Sequence, residues 1–407
     1  MKVLIIAPNV DATDVGEALM AYKWVNALSN VADVSLLTFQ RPDRPCVKSQ
    51  LPRARVVTWA EPSWALKYRR FNSMLKPTWP IFARHVRKWL TDKLANGERF
   101  DLAHQLMPQA MRYASPFRHF DIPYVIGPSG GALVTPDAFK SEARGAPLFT
   151  RLRSLDKWRL RHDPMLRSSY AGAACVLGVA PYVNDLLADI PLKRFETVLE
   201  LGIDETCPAG RINHSKSSLK LLHVGRGVRT KGLRDAVRAL AHLNDLPDVT
   251  LTSAGTGEEI EICRQEAERL GVAGRVTFLG QIPHEEVQRL YHSHDVFCFP
   301  SYREPAGGVL YEAMRTGLPI ITADRGGPAF IVDDSSGIRV PVTDPEKFAY
   351  DLSRAMRRLV ASPQLRHELA SGALHKVQNE GLWKTKANHM LGLYESLIAY
   401  PRTRSTI

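Results

Sequence analysis

The sequence predicts an α/β protein made of two doubly wound domains, each built on a parallel sheet. Its length of 407 residues is typical of two domains. Short apolar runs alternate with helical patterns in two successive series, and the second series begins at Leu219. A polar stretch with three serines, Ala209 to Ser218, separates the series and is typical of a linker. We therefore predict a first domain over residues 1–205, a linker over 206–218 and a second domain over 219–382.

The first domain opens with a βαβ pattern whose loop is placed to face a ligand. The run MKVLIIAPN predicts a buried strand, and a helical pattern follows the polar loop from Asp11 to Glu17. Open α/β sheets bind ligands at the carboxyl ends of their strands, so the one glycine of this loop, Gly16, is a candidate donor-binding residue. The loop lacks the G-x-G-x-x-G pattern of dinucleotide-binding folds, which disfavours an NAD enzyme.

Two later strands of this domain end at candidate site residues. The run FDLAH, residues 100–104, predicts a strand that ends at His104. Tyr124 to Ile126 predicts another strand, which runs into a bend containing Gly130 and Gly131. We expect these two glycines to lie on the acceptor side of a binding site, because loops at strand ends often carry function. A purely structural turn is the alternative.

Positive charge is concentrated in the first half of the chain. The net charge is +12, and residues 61–93 and 140–167 carry +6 and +5 of it. Within the first of these, Trp64 to Leu90 interleaves bases with aromatics, a pattern found on surfaces that dock on anionic lipid. Ordinary helices with buried aromatics and a solvated basic face explain the pattern equally well. A nucleic-acid surface is a weaker interpretation, and we expect no nucleic-acid partner.

Cysteine usage and hydropathy indicate a cytoplasmic protein. The five cysteines are scattered and no C-x-x-C occurs, which disfavours a disulfide framework or a zinc site. The apolar run from Met1 to Val10 is too short for a signal peptide. No run of about 18 apolar residues occurs that would span a membrane. We expect a cytoplasmic protein, bound peripherally to the inner face of the membrane if the basic surface docks there.

In the second domain, charged and glycine-rich loops follow the predicted strands. Arg226 and Lys231 come directly after the first strand, and two fixed cations at that place suit a diphosphate. Taken singly, each is more often a surface charge. Gly255 and Gly257 follow the next strand, and a further strand ends at Leu279, where backbone groups are candidates for base recognition.

The most informative stretch runs from Pro300 to Gly317. It follows a buried strand and supplies a loop acid, two turn glycines and two residues of a helix start: Glu304, Gly307, Gly308, Val309 and Glu312. Unpaired N–H groups at a helix start suit a phosphate, and carboxylates accept hydrogen bonds from hydroxyls. A phosphate and hydroxyls on one molecule indicate a nucleotide sugar. A surface loop whose acids merely favour a helix N-terminus is the alternative.

The pattern E-P-A-G-G-V-L-Y-E-A-M-R-T-G-L-P-I-I resembles the donor-binding signature of the family 4 retaining glycosyltransferases, usually E-x-F-G-x-x-x-x-E-A-M-A-x-G-x-P-V-V. Ala306 stands where the family usually has an aromatic residue, and Gly308 where it usually has an apolar one. We expect the second glycine to loosen the loop. The G-R-x-x-x-x-K-G that begins at Gly225 and the G-x-G at Gly255 are similar to two further signatures of the family. The resemblance is strong over residues 219–395 and looser before them.

This resemblance implies the GT-B fold, in which two Rossmann-like domains face each other across a deep interdomain cleft. It implies a nucleoside-diphosphate sugar as donor, with Arg226 and Lys231 neutralising the diphosphate, Glu304 holding sugar hydroxyls and Glu312 holding the ribose. The stretch from Trp383 to Tyr394 resembles the family's closing helix. Residues 383–407 are therefore predicted to pack back on the first domain.

The resemblance is incomplete at the catalytic histidine. The family usually has D-x-x-H-x-H, and Asp101 and His104 match its start, but Leu106 replaces the second histidine. We keep His104 as a catalytic candidate, with a structural histidine as the alternative. No D-x-D motif for a divalent metal occurs in the chain, so we expect no metal and no other cofactor.

These patterns predict a hexosyltransferase-type enzyme that moves a sugar to a hydroxyl of a glycan or lipid-linked acceptor, in cell-surface polysaccharide or glycolipid synthesis. Two alternatives on the same fold stay open. A sugar-nucleotide 2-epimerase needs acids in the first domain, for which Glu17 is the obvious candidate. A non-catalytic nucleotide-sugar binder fits the missing histidine. A phosphorylase needs a pyridoxal-phosphate lysine site, and we identify none.

Overall fold

Strands of three to eight residues form the centre of each half of the chain. The structure, a computed structural model, describes residues 1–67, 75–142, 154–206 and 217–399. Within them the strands form two separate sheets, and neighbouring strands pair in parallel in both. The predicted α/β class is confirmed.

The first sheet has seven strands in the order β3-β2-β1-β4-β5-β6-β7. Strand β1 lies inside the sheet between β2 and β4, and after its exposed first residue, Lys2, it is apolar and buried, as expected when helices cover both faces of a parallel sheet. The strands are β1 Lys2–Ile6, β2 Asp33–Gln40, β3 Arg55–Ala60, β4 Leu102–Gln105, β5 Tyr124–Ser129, β6 Cys175–Gly178 and β7 Phe195–Thr197. The helices are α1 Glu17–Leu28, α2 Val47–Gln50, α3 Ser63–Lys67, α4 Trp79–Ala95, α5 Ser154–His162, α6 Pro164–Gly172 and α7 Tyr182–Leu186.

The second sheet has six strands in the order β10-β9-β8-β11-β12-β13. They are β8 Leu219–Val224, β9 Val249–Ala254, β10 Val276–Gly280, β11 Val296–Phe299, β12 Ile320–Ala323 and β13 Gly337–Val340. The helices are α8 Leu233–Ala241, α9 Glu259–Arg269, α10 His284–Ser293, α11 Gly308–Met314, α12 Gly326–Ile331, α13 Pro345–Ala361, α14 Pro363–Lys376 and α15 Trp383–Ala399.

Short polar residues fix the starts of several helices. The Asp344 carboxylate accepts a hydrogen bond from the Lys347 amide at 2.9 Å, and a proline follows at the first position of α13. Ser362 caps α14 in the same way, through the Leu365 amide at 3.1 Å. Such caps satisfy backbone N–H groups that have no partner within the helix.

The described residues divide into two compact units, whose borders differ from the predicted domains. Unit 1 comprises residues 1–132, 148–200 and 383–407, and unit 2 comprises 133–147 and 201–382. Residues 133–142, which we had predicted as part of the first domain, therefore pack with the second. The main segment of the second unit begins at Leu201, before the predicted border. Most of the predicted linker over 206–218 lies outside the described residues. The predicted interdomain cleft stays a prediction.

Helix α15 belongs to unit 1. Its first residue, Trp383, packs edge-on against Trp24 of α1, with ring centroids 5.4 Å apart. The ammonium group of Lys386 donates a 3.0 Å hydrogen bond to the carbonyl of Leu199. Met390 and Tyr394 complete the contact and are fully buried in the core of this unit.

The aromatic residues of α4 face inward. Trp79 and Phe82 are buried, whereas the bases Arg84, Arg87 and Lys88 are exposed. On α4 the bases are thus solvated and two aromatics lie in the core, whereas Trp89 is half-buried and Trp64, on α3, is 43% exposed. Residues 68–74 of the stretch lie outside the described residues. No helix in the described ranges is long and apolar enough to cross a membrane. Docking on an anionic membrane stays a prediction.

We expect Trp383→Ala to lower the free energy of unfolding by about 3–5 kcal/mol, because it removes a large buried side chain from the core of unit 1. Urea unfolding followed by circular dichroism measures this. Trp158, which is 60% exposed, supplies the control. Trp158→Ala should change the free energy by less than about 1 kcal/mol. Equal losses in both variants would contradict the packing of α15 described above.

Candidate donor site in unit 2

The topology of unit 2 brings two candidate loops together. The chain enters its sheet at β8, and the strand order then runs outward on one side through β9 and on the other through β11. Ligands of open α/β sheets bind at such a reversal, outside the carboxyl ends of the two central strands. The loop after β8 carries Arg226 and Lys231, and the loop after β11 carries Glu304. Both predicted loops therefore lie at the switch point of this sheet.

Lys231 and Glu304 form an ion pair between these loops. The ammonium group of Lys231 contacts the carboxylate of Glu304, and the side chains are 13% and 15% exposed. The same ammonium group lies 5.2 Å from the ring centroid of Phe299, the last residue of β11. Nearby, the Ser301 hydroxyl donates a 3.0 Å hydrogen bond to the carbonyl of Thr230. The pair is thus held between two loops that are also bonded to each other.

The charge state of Lys231 is finely balanced. Burial, followed by the nearby positive charge of Arg226, lowers the pKa of Lys231 to about 8. Contact with the Glu304 carboxylate acts in the opposite sense, because it favours the ammonium form. Arg226 itself is exposed, and its guanidinium forms no ion pair within the described part of the chain. It remains available to an anion.

The loop after β11 is fixed by backbone contacts around Glu304. The amide of Gly327 donates a 2.9 Å hydrogen bond to the Glu304 carbonyl. Ala306, which replaces the usual aromatic residue, is buried, and a Cβ at Gly327 would lie 2.1 Å from its carbonyl oxygen. This loop is closely packed against the start of α12.

Gly308 does not act as the loosening residue we had expected. It is the first residue of α11, and a Cβ there would lie 2.4 Å from Cδ1 of Leu201. The missing side chain lets Leu201, at the start of unit 2, pack directly on this helix. The departure from the family pattern is therefore a packing feature.

Glu312 lies on α11, half-buried, with Val309 also partly exposed on the same helix. The hydroxyl of the buried Tyr291 donates to its carboxylate at 3.4 Å. Burial raises the pKa of Glu312, and the charges and hydrogen bond around it offset part of that rise. A carboxylate held by one weak hydrogen bond retains acceptor capacity for a ligand hydroxyl.

The remaining predicted residues of unit 2 lie at neighbouring strand ends. Gly255 and Gly257 follow β9, where their backbone meets the loop after β8: the Gly227 amide donates to the Thr256 carbonyl at 2.8 Å. Gly307 precedes α11 in the left-handed conformation. Leu279 lies on the edge strand β10 and is 39% exposed.

Four predicted residues lie in unit 1, at or near the carboxyl ends of its strands. Gly16 precedes α1 and is exposed. Gly130 follows β5 and is bridged to Ala110, and the Gly131 amide donates a 3.2 Å hydrogen bond to the Tyr182 hydroxyl. The roles predicted for Gly16, Gly130 and Gly131 therefore stay predictions.

The structure corrects our interpretation of His104. Its side chain is completely buried, Nδ1 lies 2.5 Å from the Tyr394 hydroxyl and Nε2 lies 2.5 Å from the Gly127 carbonyl. Burial lowers its pKa to about 4, so the ring is neutral at physiological pH. Both ring nitrogens are occupied by protein atoms. We therefore assign His104 a structural role in place of the predicted catalytic one.

Sequence reasoning missed two charged clusters. In unit 2, Arg229 is buried and forms ion pairs with Asp235 and Glu142. In unit 1, Glu200 accepts a hydrogen bond from Gln109, and burial together with the charge of Glu17 raises its pKa to about 8. In the sequence, Arg229 lies between the two predicted cations of the G-R-x-x-x-x-K-G pattern. That position is the one sequence signal that pointed to Arg229.

Comparison with known proteins identifies the second half of the chain. Residues 210–375 match the family model described as glycosyl transferases group 1. This stretch is therefore similar to a glycosyltransferase group 1 domain. The chain is 30% identical over 217 residues to the lipopolysaccharide core biosynthesis glycosyltransferase LpsE of Rhizobium meliloti, covering 52% of this chain and 61% of the relative. It is 29% identical over 254 residues to glycogen synthase of Mycobacterium tuberculosis, covering 61% and 58%. The chain thus spans less than two thirds of the length of these relatives.

Solved structures extend the likeness to the whole fold. Sucrose-phosphate synthase from Thermosynechococcus elongatus superposes with a TM-score of 0.62 over 98% of this chain and 99% of its own, at 21% identity. The lipopolysaccharide outer core galactosyltransferase WaaB superposes with a TM-score of 0.65 over 97% of this chain and 100% of its own, at 15% identity. Anabaena HepE, solved with UDP, superposes with a TM-score of 0.64 over 97% of this chain and 100% of its own, at 17% identity. The fold is that of the GT-B glycosyltransferases.

Gly255→Ala tests the close approach of the loops after β8 and β9. Gly255 has φ of 137°, and a Cβ there would lie 1.8 Å from the Gly225 carbonyl oxygen. We expect the substitution to lower the free energy of unfolding by about 2 kcal/mol or more. Gly274 is the control, because its φ is ordinary and no atom lies within 4 Å of a Cβ built there. A Gly255→Ala variant as stable as Gly274→Ala would contradict this loop contact.

Proposed function

We propose that the protein is a family 4 retaining glycosyltransferase of the hexosyltransferase type. It transfers a sugar from a nucleoside diphosphate to an acceptor hydroxyl. The observation that carries the proposal is the Lys231–Glu304 pair at the switch point between β8 and β11, within the glycosyltransferase group 1 domain. The cation suits the diphosphate of a sugar nucleotide, and the carboxylate suits the hydroxyls of its sugar.

The proposed mechanism depends on stabilising the leaving group. As the bond between the sugar and the diphosphate breaks, negative charge grows on the diphosphate oxygens. Lys231 and Arg226 neutralise that charge from fixed positions, which favours the transition state over the ground state. Because these side chains supply the positive charge, we propose that no metal is required. The acceptor hydroxyl attacks the same face of the sugar that the diphosphate leaves, and configuration is retained.

The other residues bind the donor. Glu304 turns from Lys231 to the sugar hydroxyls when the diphosphate takes its place beside the ammonium group. Glu312 accepts from the ribose hydroxyls. Backbone groups of Gly255, Gly257 and the segment at Leu279 surround the nucleotide. Support for a nucleotide comes from Anabaena HepE, a structural neighbour solved in complex with UDP-glucose.

The proposed acceptor is a glycan or a lipid-linked glycan of the cell surface. Support comes from relatives named for lipopolysaccharide core and spore coat proteins, which align over part of their lengths. We propose that the acceptor lies on the side of Gly130 and Gly131, in a cytoplasmic reaction. The basic surface of unit 1 suits an anionic acceptor or the membrane that carries it.

One observation favours a second candidate, a sugar-nucleotide 2-epimerase. Glu200 and Glu17 lie close enough in unit 1 for the charge of one to raise the pKa of the other, and raised carboxyl groups are suited to acid–base chemistry. A panel of nucleotide sugars, with and without a lipid extract and with EDTA, separates the candidates. Diphosphate release that needs the extract supports transfer. An altered nucleotide sugar without release supports epimerisation, and binding without turnover supports a binder.

Glu304→Gln should reduce sugar transfer by about 10²–10³-fold, because it removes a charged group that contacts the transferred sugar in the transition state. Initial rates of diphosphate release at saturating donor measure this. Glu286→Gln, which removes an exposed carboxylate from α10, is the control and should retain full activity. Full activity of Glu304→Gln would eliminate the proposed site.

Diphosphate binding should weaken as the pH rises through about 8. Below this pKa the Lys231 ammonium is present and binds phosphate oxygens; above it, binding must first restore the proton, so affinity falls by up to about tenfold per pH unit. Isothermal titration with UDP, ADP and GDP from pH 6.5 to 9.5 measures the decline. In Lys231→Arg the guanidinium stays charged, and the decline should disappear. An identical decline in both proteins would assign the titration to another group.

A further inference from the structure

A segment from the first half of the chain is built into unit 2. Residues 133–142, here called the strap, follow Gly131 after one intervening residue, Ala132, and belong to the second unit. They contain one short 3₁₀ turn, Asp137–Phe139. Three sets of contacts hold the strap, and each involves a residue next to or near Lys231 or Glu304.

The first set lies beside Glu304. The Arg303 guanidinium donates to the carbonyl of Leu133 at 3.1 Å and to the hydroxyl of Thr135 at 3.3 Å. Arg325 donates to the carbonyl of Val134 at 2.8 Å. The backbone of the strap thus binds the residue that directly precedes Glu304 in the chain.

The second set is an aromatic anchor. Phe139 is completely buried in the core of unit 2. Its ring centroid lies 4.4 Å from that of Tyr302 and 6.0 Å from that of Phe348. The Arg229 guanidinium lies 5.5 Å from the Phe139 ring and 5.4 Å from the Tyr302 ring. Phe139 therefore contacts one residue from each loop of the donor site.

The third set is a carboxylate between arginines. Glu142 accepts hydrogen bonds from Arg229 at 2.6 and 2.9 Å, and from Arg238 at 3.2 Å. Arg229 begins the 3₁₀ turn that ends at Lys231, and it is buried, with Asp235 and, at 4.0 Å, Glu259 as its other carboxylate partners. A buried guanidinium needs its carboxylates in place, because an unpaired buried charge is strongly unfavourable.

We propose that the strap positions the donor phosphate site, with Phe139 and Glu142 as positioning residues that act through Tyr302 and Arg229. The proposal rests on the function given above. Lys231 and Glu304 sit on two separate loops, and the strap contacts both loops behind the pair. Holding the two loops in place in advance lowers the cost of ordering their side chains when the diphosphate binds.

Glu142→Gln tests the proposal, with Glu266→Gln as its matched control. Both glutamates bind Arg238, at 3.0 Å for Glu142 and 2.6 Å for Glu266, but Glu266 forms its other ion pair with Arg269 on the surface. The dissociation constants of UDP, ADP and GDP, and of the three nucleosides without phosphates, are measured by isothermal titration for the full chain. Thermal unfolding is recorded for each variant.

We expect Glu142→Gln to weaken diphosphate binding by about tenfold, the effect of one displaced charge-assisted contact, and to leave nucleoside binding unchanged. Glu266→Gln should leave both unchanged. A purely structural role would weaken nucleoside and diphosphate equally, or would affect both variants in proportion to their thermal midpoints. Either result overturns the strap proposal.

Two further outcomes separate this proposal from the proposed function. If the wild-type protein binds none of the three diphosphates, the donor site itself is wrong and the strap's role falls with it. If the wild type binds one of them and Glu142→Gln binds it equally well, only the strap proposal is overturned. Phe139→Leu, which keeps an apolar side chain in the core but removes the ring contact with Tyr302, provides a second variant and should reproduce the selective loss.

Discussion

An ion pair that is mostly shielded from water constrains the whole of unit 2. Lys231 and Glu304 come from different strand ends, and taking both charges out of water is costly unless their geometry is fixed. The surrounding contacts meet that requirement. Phe299 lies against the ammonium group, Ser301 bonds the neighbouring loop, and the backbone at Glu304 is held by Gly327. The pair is also the place where a diphosphate would compete for the same ammonium group, so the rigidity of its setting bears directly on the proposed chemistry.

The residues that were predictable are those whose neighbours in space are also neighbours in sequence. The apolar runs before Arg226 and Glu304 predicted buried strands, and β8 and β11 occur there. Parallel strands with ligand loops at their carboxyl ends follow from such alternation. The spacing within each loop then predicts that Lys231 and Glu304 both lie at the carboxyl ends of the strands.

The residues that were not predictable depend on contacts across long stretches of chain. Glu142 binds Arg229 from 87 positions away, and no local pattern indicates that residues 133–142 leave the first unit. His104 lies on a strand as predicted, although β4 ends one residue later at Gln105, and the hydroxyl that binds its ring belongs to Tyr394, 290 positions later. Its structural role appears only when α15 is in place. A motif records which residue types are present, whereas burial depends on what packs over them.

The strap changes what counts as the donor domain. A segment spanning only residues 201–382 contains every predicted donor residue of unit 2 but lacks Phe139 and Glu142. Without them, Tyr302 loses a ring neighbour, and the buried Arg229 loses the Glu142 carboxylate while it keeps those of Asp235 and, at 4.0 Å, Glu259. The cost of removing a partner from a buried charge falls on the turn that carries Lys231. The smallest piece of chain able to hold the phosphate site in its described geometry is therefore discontinuous, because it includes the strap. These ten residues follow the predicted acceptor-side loop at Gly130 and Gly131, with Ala132 between them.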